Sequence, residues 1–422
     1  MAPAAAVTPL DAAAILIVLA ATLGYLNHRF LRLSPTIGMT AMGAVASLIV
    51  IGLDRLLPGN ALGSGVTRFL AGIDFHATLM DGMLSFLLFA GALHVDWSEM
   101  RRERWLVLIL STIGVLLSTL LTGAGTLLLT RAVGLDLPLI WCLVFGALIS
   151  PTDPVAVMAI MKDAHVSPGL RASVAGESLF NDGIGVVVFA ILLAAAASGT
   201  TLHPATALHL FVLEAGGGVA LGLAVGWLAF RAMCSIDDYK VEVMISLALV
   251  MGGYALARWI GVSGPVAMAV AGLLIGNHGV AHAMSATTQD RLLDFWELID
   301  DILNAVLFLL IGLQVVAVPA DPALLLLGLG AVPLVIAARA LSVWIPFAAL
   351  RRRAPSGRFA FAVFVWGGLR GGISVALALG LPEGPARPAI LAATYLVVLF
   401  SVIVQGGTIG PLIRRGALPS TA

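Results

Sequence analysis

Long apolar segments that recur from one end of the chain to the other constrain its fold most. A helix that crosses a bilayer needs about 20 mostly apolar residues. Within hydrocarbon, every backbone polar group must be satisfied inside the structure, which helices achieve within one segment. The sequence therefore predicts an all-α polytopic membrane protein with about 13 transmembrane helices. The expected spans are roughly 12–27, 34–53, 77–95, 105–130, 137–161, 169–198, 205–230, 241–260, 263–277, 292–318, 322–350, 358–381 and 388–412.

Composition supports this class and excludes others. Only 11% of the 422 residues are charged, whereas soluble domains carry about 25%. The formal net charge is zero, so the chain offers no basic surface to nucleic acid. Its two cysteines, Cys142 and Cys234, lie far apart and predict neither a disulfide framework nor a zinc site. We therefore expect a lipid membrane as the surrounding partner and no bound cofactor.

The distribution of Lys and Arg predicts the orientation in the membrane. Most of the 23 basic residues lie in loops that follow odd-numbered helices, and Arg351-Arg352-Arg353 is their densest group. Cytoplasmic loops carry such an excess. The N-terminus lacks the basic region of a signal peptide, so the first apolar segment is expected to be retained. These features predict a bacterial-type inner (plasma) membrane, with the N-terminus outside and the C-terminus in the cytoplasm.

Two of the expected helices are interrupted near their middle. Helix five contains Ser150-Pro151-Thr152-Asp153-Pro154, where prolines remove backbone donors. Helix twelve contains the glycine-rich stretch 366–374, which weakens helix locally. Matched interrupted segments in two halves of a transporter mark its binding site. Because these helices are seven apart, they cross in opposite directions, which predicts inverted repeats made of helices four to six and eleven to thirteen.

The stretch 176–182, in the sixth expected helix, holds the most informative polar residues. Glu177 and Asn181 are four residues apart on a helix, as are Ser178 and Asp182, so all four can line one wall. An ionisable group in a membrane helix costs roughly 2.5–3.5 kcal/mol, which makes it a functional candidate.

Oxygen ligands favoured by hard cations converge on these two regions. Carboxylates, hydroxyls and carbonyls bind such cations, so we expect Asp182 and Asp153 to meet at one site. Thr152, Ser178 and Asn181 would complete its shell. Asp is also a preferred helix N-cap, which leaves a capping role open for Asp153. Burial disfavours the charged form of a carboxylate, so Asp182 is expected to hold either a proton or a cation, and this competition suffices for exchange.

Two arginines inside the apolar segments need compensating groups, because Arg stays protonated. Glu177 is the expected partner of Arg339 or Arg370, with Arg339 favoured, and the resulting charge pair is expected to be structural. Arg370 lies within the helix-twelve interruption, so the carbonyl ends of a half-helix or Asp153 are alternative partners. A cation channel and a membrane-embedded enzyme are other classes to consider, but no nucleophile–base pair supports an enzyme.

Several motifs together resemble one family. They are Ser150–Val157, Gly176–Gly183, the segment that includes Leu303-Asn304-Ala305-Val306-Leu307-Phe308, Arg339–Val343 and Trp366–Gly372. They resemble the signatures of monovalent cation/proton antiporters of the NhaP type, which are related to the animal sodium/proton exchangers. The resemblance covers most of the chain.

This resemblance implies a homodimer of thirteen-helix subunits that works by an elevator-like movement. Residues 1–104 and 201–320 would form the dimerisation part and a linker helix. Residues 105–200 and 321–422 would form the two halves of the mobile core. Asp182 would carry cation and proton, with Thr152, Asp153 and Ser178 shaping the site. Of these, Asp182, Thr152 and Ser178 are the expected ligands of the cation.

The Asn181-Asp182 pair matches family members with one titrating aspartate, which implies electroneutral one-for-one exchange of Na⁺ or Li⁺ for H⁺. K⁺/H⁺ exchange is the alternative within the family. Asn181 would brace the helix-five interruption. The sequence departs from some members at Ala90, where they carry a carboxylate. If that acid helps to bind the cation, this chain must do without it or use Asp81.

Overall fold

The computed structural model describes residues 9–56, 75–164, 166–199, 203–279, 284–317, 321–349 and 358–417. The described chain is helical almost throughout and matches the predicted spans in order. The helices are α1 (Leu10–Leu31), α2 (Pro35–Leu56), α3 (Phe75–Leu93), α4 (Arg104–Val133), α5 in the two halves Leu139–Leu148 and Val155–Asp163, α6 (Pro168–Ser198), α7 (Pro204–Met233), α8 (Tyr239–Ile260), α9 (Gly264–Asn277), α10 (Ala286–Leu313), α11 (Pro322–Ala349), α12 in the two halves Arg358–Trp366 and Gly372–Leu379, and α13 (Ala386–Arg415).

Nine of these described helices are long and apolar enough to cross a membrane. The other four are the interrupted α5 and α12, the short α9, and α10, which carries acids in its first half. The prediction of an all-α polytopic fold with two discontinuous helices is confirmed. The basic group 351–353 and the side chain of Asp81 lie outside the described residues.

Two of the hydrophobic clusters separate the helices into two sets. One joins α4, α5, α6, α11, α12 and α13, and Phe364 is among its buried side chains. The other joins α3, α7, α8, α9 and α10 around Trp296, whose indole donates a 2.9 Å hydrogen bond to Ser246 Oγ. The largest cluster contains residues of both sets and holds them together.

Ala90 belongs to the cluster around Trp296 and is fully buried there. Its backbone carbonyl accepts a 2.9 Å hydrogen bond from the His94 ring. An acid at this position would face the packed interior between α3 and its neighbours. Ala90 itself packs between α3 and its neighbours and does not line the cavity described below.

Helices α2 and α10 approach each other closely through glycines. A Cβ atom added at Gly43 would lie 2.9 Å from the carbonyl oxygen of Leu309, and one added at Gly312 would lie 2.8 Å from the amide nitrogen of Ala44. Small residues allow the backbones of membrane helices to come this near.

We expect Gly43→Ala to destabilise the protein, because the added methyl has to push α2 away from α10. Overpacking of this kind typically costs about 1–3 kcal/mol. The measurement is the thermal melting temperature and folded yield in detergent. Gly52→Ala is the matched control, because a Cβ on this α2 glycine would meet no atom of the described residues within 4 Å. Equal melting temperatures for the two variants would contradict the packing argument.

Candidate functional site

The two interruptions cross each other in the interior of the helical bundle. The amide of Asp153 donates a 2.8 Å hydrogen bond to the carbonyl of Leu369, which forms an isolated antiparallel bridge. A Cβ at Gly371 would lie 2.8 Å from Cβ of Asp153, so glycine is required for this approach. The bridge thus gives one backbone amide of α5 and one backbone carbonyl of α12 a hydrogen-bond partner, as irregular backbone at membrane depth requires.

Asp153 also caps the second half of α5. Its Oδ1 accepts a hydrogen bond of 3.0 Å from the amide of Val155. Pro154 is the N-cap residue itself, and Asp153, one residue earlier, satisfies the first amide of this half-helix. Its side chain remains part of the cavity wall that also includes Asp182.

Arg370 neutralises the carbonyl end of the first half of α5. Its Nη1 donates to the carbonyl of Ser150 and, at 3.0 Å, to that of Pro151. A cation is favourable at a helix C-terminus, where unpaired carbonyls concentrate negative charge. The Arg370 amide is held by Ser401 Oγ at 2.8 Å, and Ser401 lies in a π-helical turn of α13. Of the alternatives that the sequence left open, the structure has Arg370 on carbonyl groups.

Helix α6 braces the interruption in α5 through Asn181. The Asn181 amide nitrogen donates to Thr152 Oγ1 at 2.7 Å, and its oxygen accepts from the Thr152 amide at 3.2 Å. Thr152 Oγ1 also lies 3.0 Å from Ser178 Oγ. The three polar residues expected beside Asp182 are thus brought together in one buried network.

Glu177 and Arg339 form a two-pronged ion pair. The two carboxylate oxygens lie 2.9 and 3.0 Å from the two terminal guanidinium nitrogens, and both side chains are buried. Arg339 Nε donates to the carbonyl of Phe364 at 3.1 Å, and Asn181 donates to Glu177 at 2.8 Å. The pair therefore ties α6 to α11, and Arg339, not Arg370, is the ion-pair partner of Glu177.

Asp182 differs from these paired groups. Its side chain is only 8% exposed, and Oδ1 finds no hydrogen-bond partner among the described residues. It lies on the wall of a cavity of about 590 Å³ that also includes Asp153 and Thr152. Asn181 and Ser178 contact Thr152 behind this wall, so their part in ion binding stays a prediction.

The cavity contains polar residues that were not among the predicted site residues. Asn304 of α10 and Ser374 of α12 are buried and line it, and Asp300 lies one helical turn before Asn304. Lys162 and Arg171 also contribute to its lining. Asp300 belongs to a group of acids on α10 that also includes Asp294, Glu297 and Asp301. Their spacing of three to four residues indicates one helix face, but not which helix that face meets.

On α3, the cavity is lined by a different face from the one that carries Ala90. Residues such as Leu87, Leu88 and Gly91 contribute to the wall, and Ala90 does not.

We expect Arg339→Ala to lower stability strongly, because it leaves Glu177 buried without its counter-charge. Breaking a buried pair in this way typically costs about 3–5 kcal/mol. The measurement is the melting temperature and the yield of folded protein. Arg102→Ala is the control, because the Arg102 side chain is 74% exposed in its ion pair with Glu99 and such surface pairs contribute little to stability. Similar melting temperatures for the two variants would contradict a structural role for the buried pair.

The sequence matches the profile of the family described as "Sodium/hydrogen exchanger, transmembrane" over residues 16–415. The chain is 48% identical over 413 residues to the Na(+)/H(+) antiporter NhaP of Pseudomonas aeruginosa, which covers 96% of each chain. It is 33% identical over 377 residues to the Na(+)/H(+) antiporter NhaH of Halobacillus dabanensis, covering 87% of this chain and 91% of that relative.

A solved structure has the same fold. The sodium proton antiporter MjNhaP1 from Methanocaldococcus jannaschii matches with a TM-score of 0.74 at 20% identity, covering 97% of this chain and 99% of that one. These comparisons cover nearly the whole chain. The protein therefore belongs to the transmembrane sodium/hydrogen exchanger family.

Proposed function

We propose that this protein exchanges Na⁺ or Li⁺ for H⁺, one for one, with Asp182 as the shared binding group. One observation carries the proposal: a buried carboxylate lies on a cavity wall where two broken helices cross, and one of its oxygens has no partner in the part of the chain that the structure describes. The relatives named above are Na(+)/H(+) antiporters, which favours Na⁺ over K⁺ as the cation.

The chemistry follows from the cost of a bare charge in the membrane. An ionised carboxylate is expensive to move through a low-dielectric interior. Either a proton or a monovalent cation neutralises it, and each excludes the other. Only the loaded forms cross readily, so a proton bound on one side is exchanged for a cation bound on the other.

The cation is held by oxygen atoms around Asp182. Thr152 and Ser178 supply hydroxyl oxygens, and Asp153 supplies further negative charge nearby. Asn181 acts by holding Thr152 in place, which its two hydrogen bonds support. Glu177 forms an ion pair with Arg339, so we assign it a structural role and no role in cation binding.

We assign the helices to a mobile core and a dimerisation part. Residues 105–200 and 321–422 form the core, and residues 1–104 and 201–320 form the dimerisation part and linker helix of a homodimer. The two smaller hydrophobic clusters support this division, because each contains helices of one part only. The cavity then lies between the parts, since α3 and α10 form one wall and α5, α6 and α12 form the other.

The cavity faces the cytoplasm in this assignment. Lys162 in the last turn of α5 and Arg171 in the first turn of α6 line it, and both flank a loop on the side richer in basic residues. The protein spans a bacterial-type inner membrane with the N-terminus outside and the C-terminus in the cytoplasm. The conformation described here is then the one that receives the cation from the cytoplasm.

We expect Asp182→Asn to abolish exchange while the protein stays folded, because it removes the titrating group and keeps the side-chain shape. The assay uses proteoliposomes with an imposed pH gradient, and a pH-sensitive dye reports dissipation after Na⁺, Li⁺ or K⁺ is added. Asp294→Asn is the control, because Asp294 is an exposed acid of α10 outside the cavity lining. Wild-type exchange by Asp182→Asn would contradict the assignment.

We expect cation-dependent dissipation of the gradient to be unaffected when an ionophore clamps the membrane voltage. One cation moves against one proton, so no net charge crosses. The measurement compares initial dye rates with and without the clamp at several voltages. A rate that changes with voltage would rule out one-for-one exchange, and a cation current without proton movement would favour a channel.

A further inference from the structure

Two buried side chains in the cavity have polar atoms that no hydrogen bond within the described part of the chain satisfies. Asn304 is 9% exposed and Ser374 is 1% exposed. Ser374 Oγ has no hydrogen-bond partner among the described residues, and Asn304 Nδ2 has none within hydrogen-bond distance, although the Asp300 carboxylate lies beside the Asn304 side chain. Both residues line the cavity that contains Asp182, whose Oδ1 likewise lacks a partner among the residues that the structure describes.

Unpaired polar groups in a protein interior cost free energy, and they are normally satisfied by whatever fills the space beside them. A hydroxyl can supply oxygen to a cation, and an amide can supply either its oxygen or an N–H to a water on that cation. Three such groups from three helices, one of them a carboxylate, suit a partly hydrated monovalent cation.

Asn304 and Ser374 belong to different parts of the proposed mechanism. Ser374 lies in the first turn of the second half of α12, within the core. Asn304 lies on α10, outside it. The two elements meet closely, because a Cβ at Gly372 would lie 2.6 Å from Cγ of Leu307. A core that moves past α10 would carry Ser374 along and leave Asn304 behind.

We propose that Asn304 and Ser374 are further residues of the cation site, and that Asn304 serves it only when the site faces the cytoplasm. The inference rests on the proposed exchange and core movement. The cation site would then differ between the two sides of the membrane. Asn304 of α10 would contribute to the site when it faces the cytoplasm and would be absent from it when it faces the outside.

The test measures the apparent KM for Na⁺ separately from each side. Everted membrane vesicles present the cytoplasmic face and right-side-out vesicles the outer face, both from cells without other sodium/proton antiporters. We expect Asn304→Ala to raise the cytoplasmic KM about fivefold, the scale of one lost hydrogen bond, with kcat and the outer KM near wild type. Ser374→Ala should raise KM on both sides.

Thr288→Ala is the matched control, because Thr288 is a buried polar residue of α10 outside the cavity lining. It should leave both KM values unchanged. If Asn304→Ala yields no folded protein, Asn304→Ser provides the same comparison with a shorter polar group.

Equal KM changes on both sides for the Asn304 variants, or no change on either side, would overturn the role of Asn304. An unchanged KM for Ser374→Ala would remove Ser374 from the site. If vesicles with the wild-type protein showed no exchange, the proposed function itself would be overturned. The test therefore distinguishes that failure from a failure of the roles given to Asn304 and Ser374.

Discussion

The mutual satisfaction of two broken helices is the constraint on which the rest of this structure depends. Unpaired backbone groups at membrane depth require partners within the protein. Here the Asp153 amide pairs with the Leu369 carbonyl, and Arg370 covers the carbonyls of Ser150 and Pro151. Asn181 then binds both the amide and the hydroxyl of Thr152. The crossing is stable because side chains of two further helices, α6 and α13, contact it.

The three carboxylates near this crossing differ in their hydrogen-bond and ion-pair partners. Glu177 is fully paired with Arg339, and Asp153 caps a half-helix. Among these three, Asp182 alone has a fully buried oxygen without a hydrogen-bond partner in the described part of the chain. A paired carboxylate is held in its charged form, whereas an unpaired one gains from binding a proton or a cation. This contrast is the physical basis for assigning transport to Asp182 and structure to Glu177.

Much of this arrangement could be predicted because it depends on residues that lie close together in the sequence. Pro151 and Pro154 mark the interruption in α5, and the four-residue spacing of Glu177 and Asn181 puts them on one face of α6. The sequence could not decide the partner of Arg370, because the free carbonyl groups and Asp153 belong to the same short interruption of α5. The orientation of Ala90 was also hidden, because α3 is apolar on all sides and its pattern does not show which face meets the cavity. Asn304 and Ser374 required the tertiary structure, which alone brings α10 beside α12.

If a proton and a cation compete for one carboxylate, the affinity of the solubilised protein for Na⁺ must depend on pH. The apparent Kd for Na⁺ would be measured by isothermal titration calorimetry over a range of pH. We expect the apparent Kd to rise about tenfold for each unit by which the pH is lowered on the acid side of the range, because one proton must leave for each cation bound. A Kd that is independent of pH over the whole range would contradict a shared site.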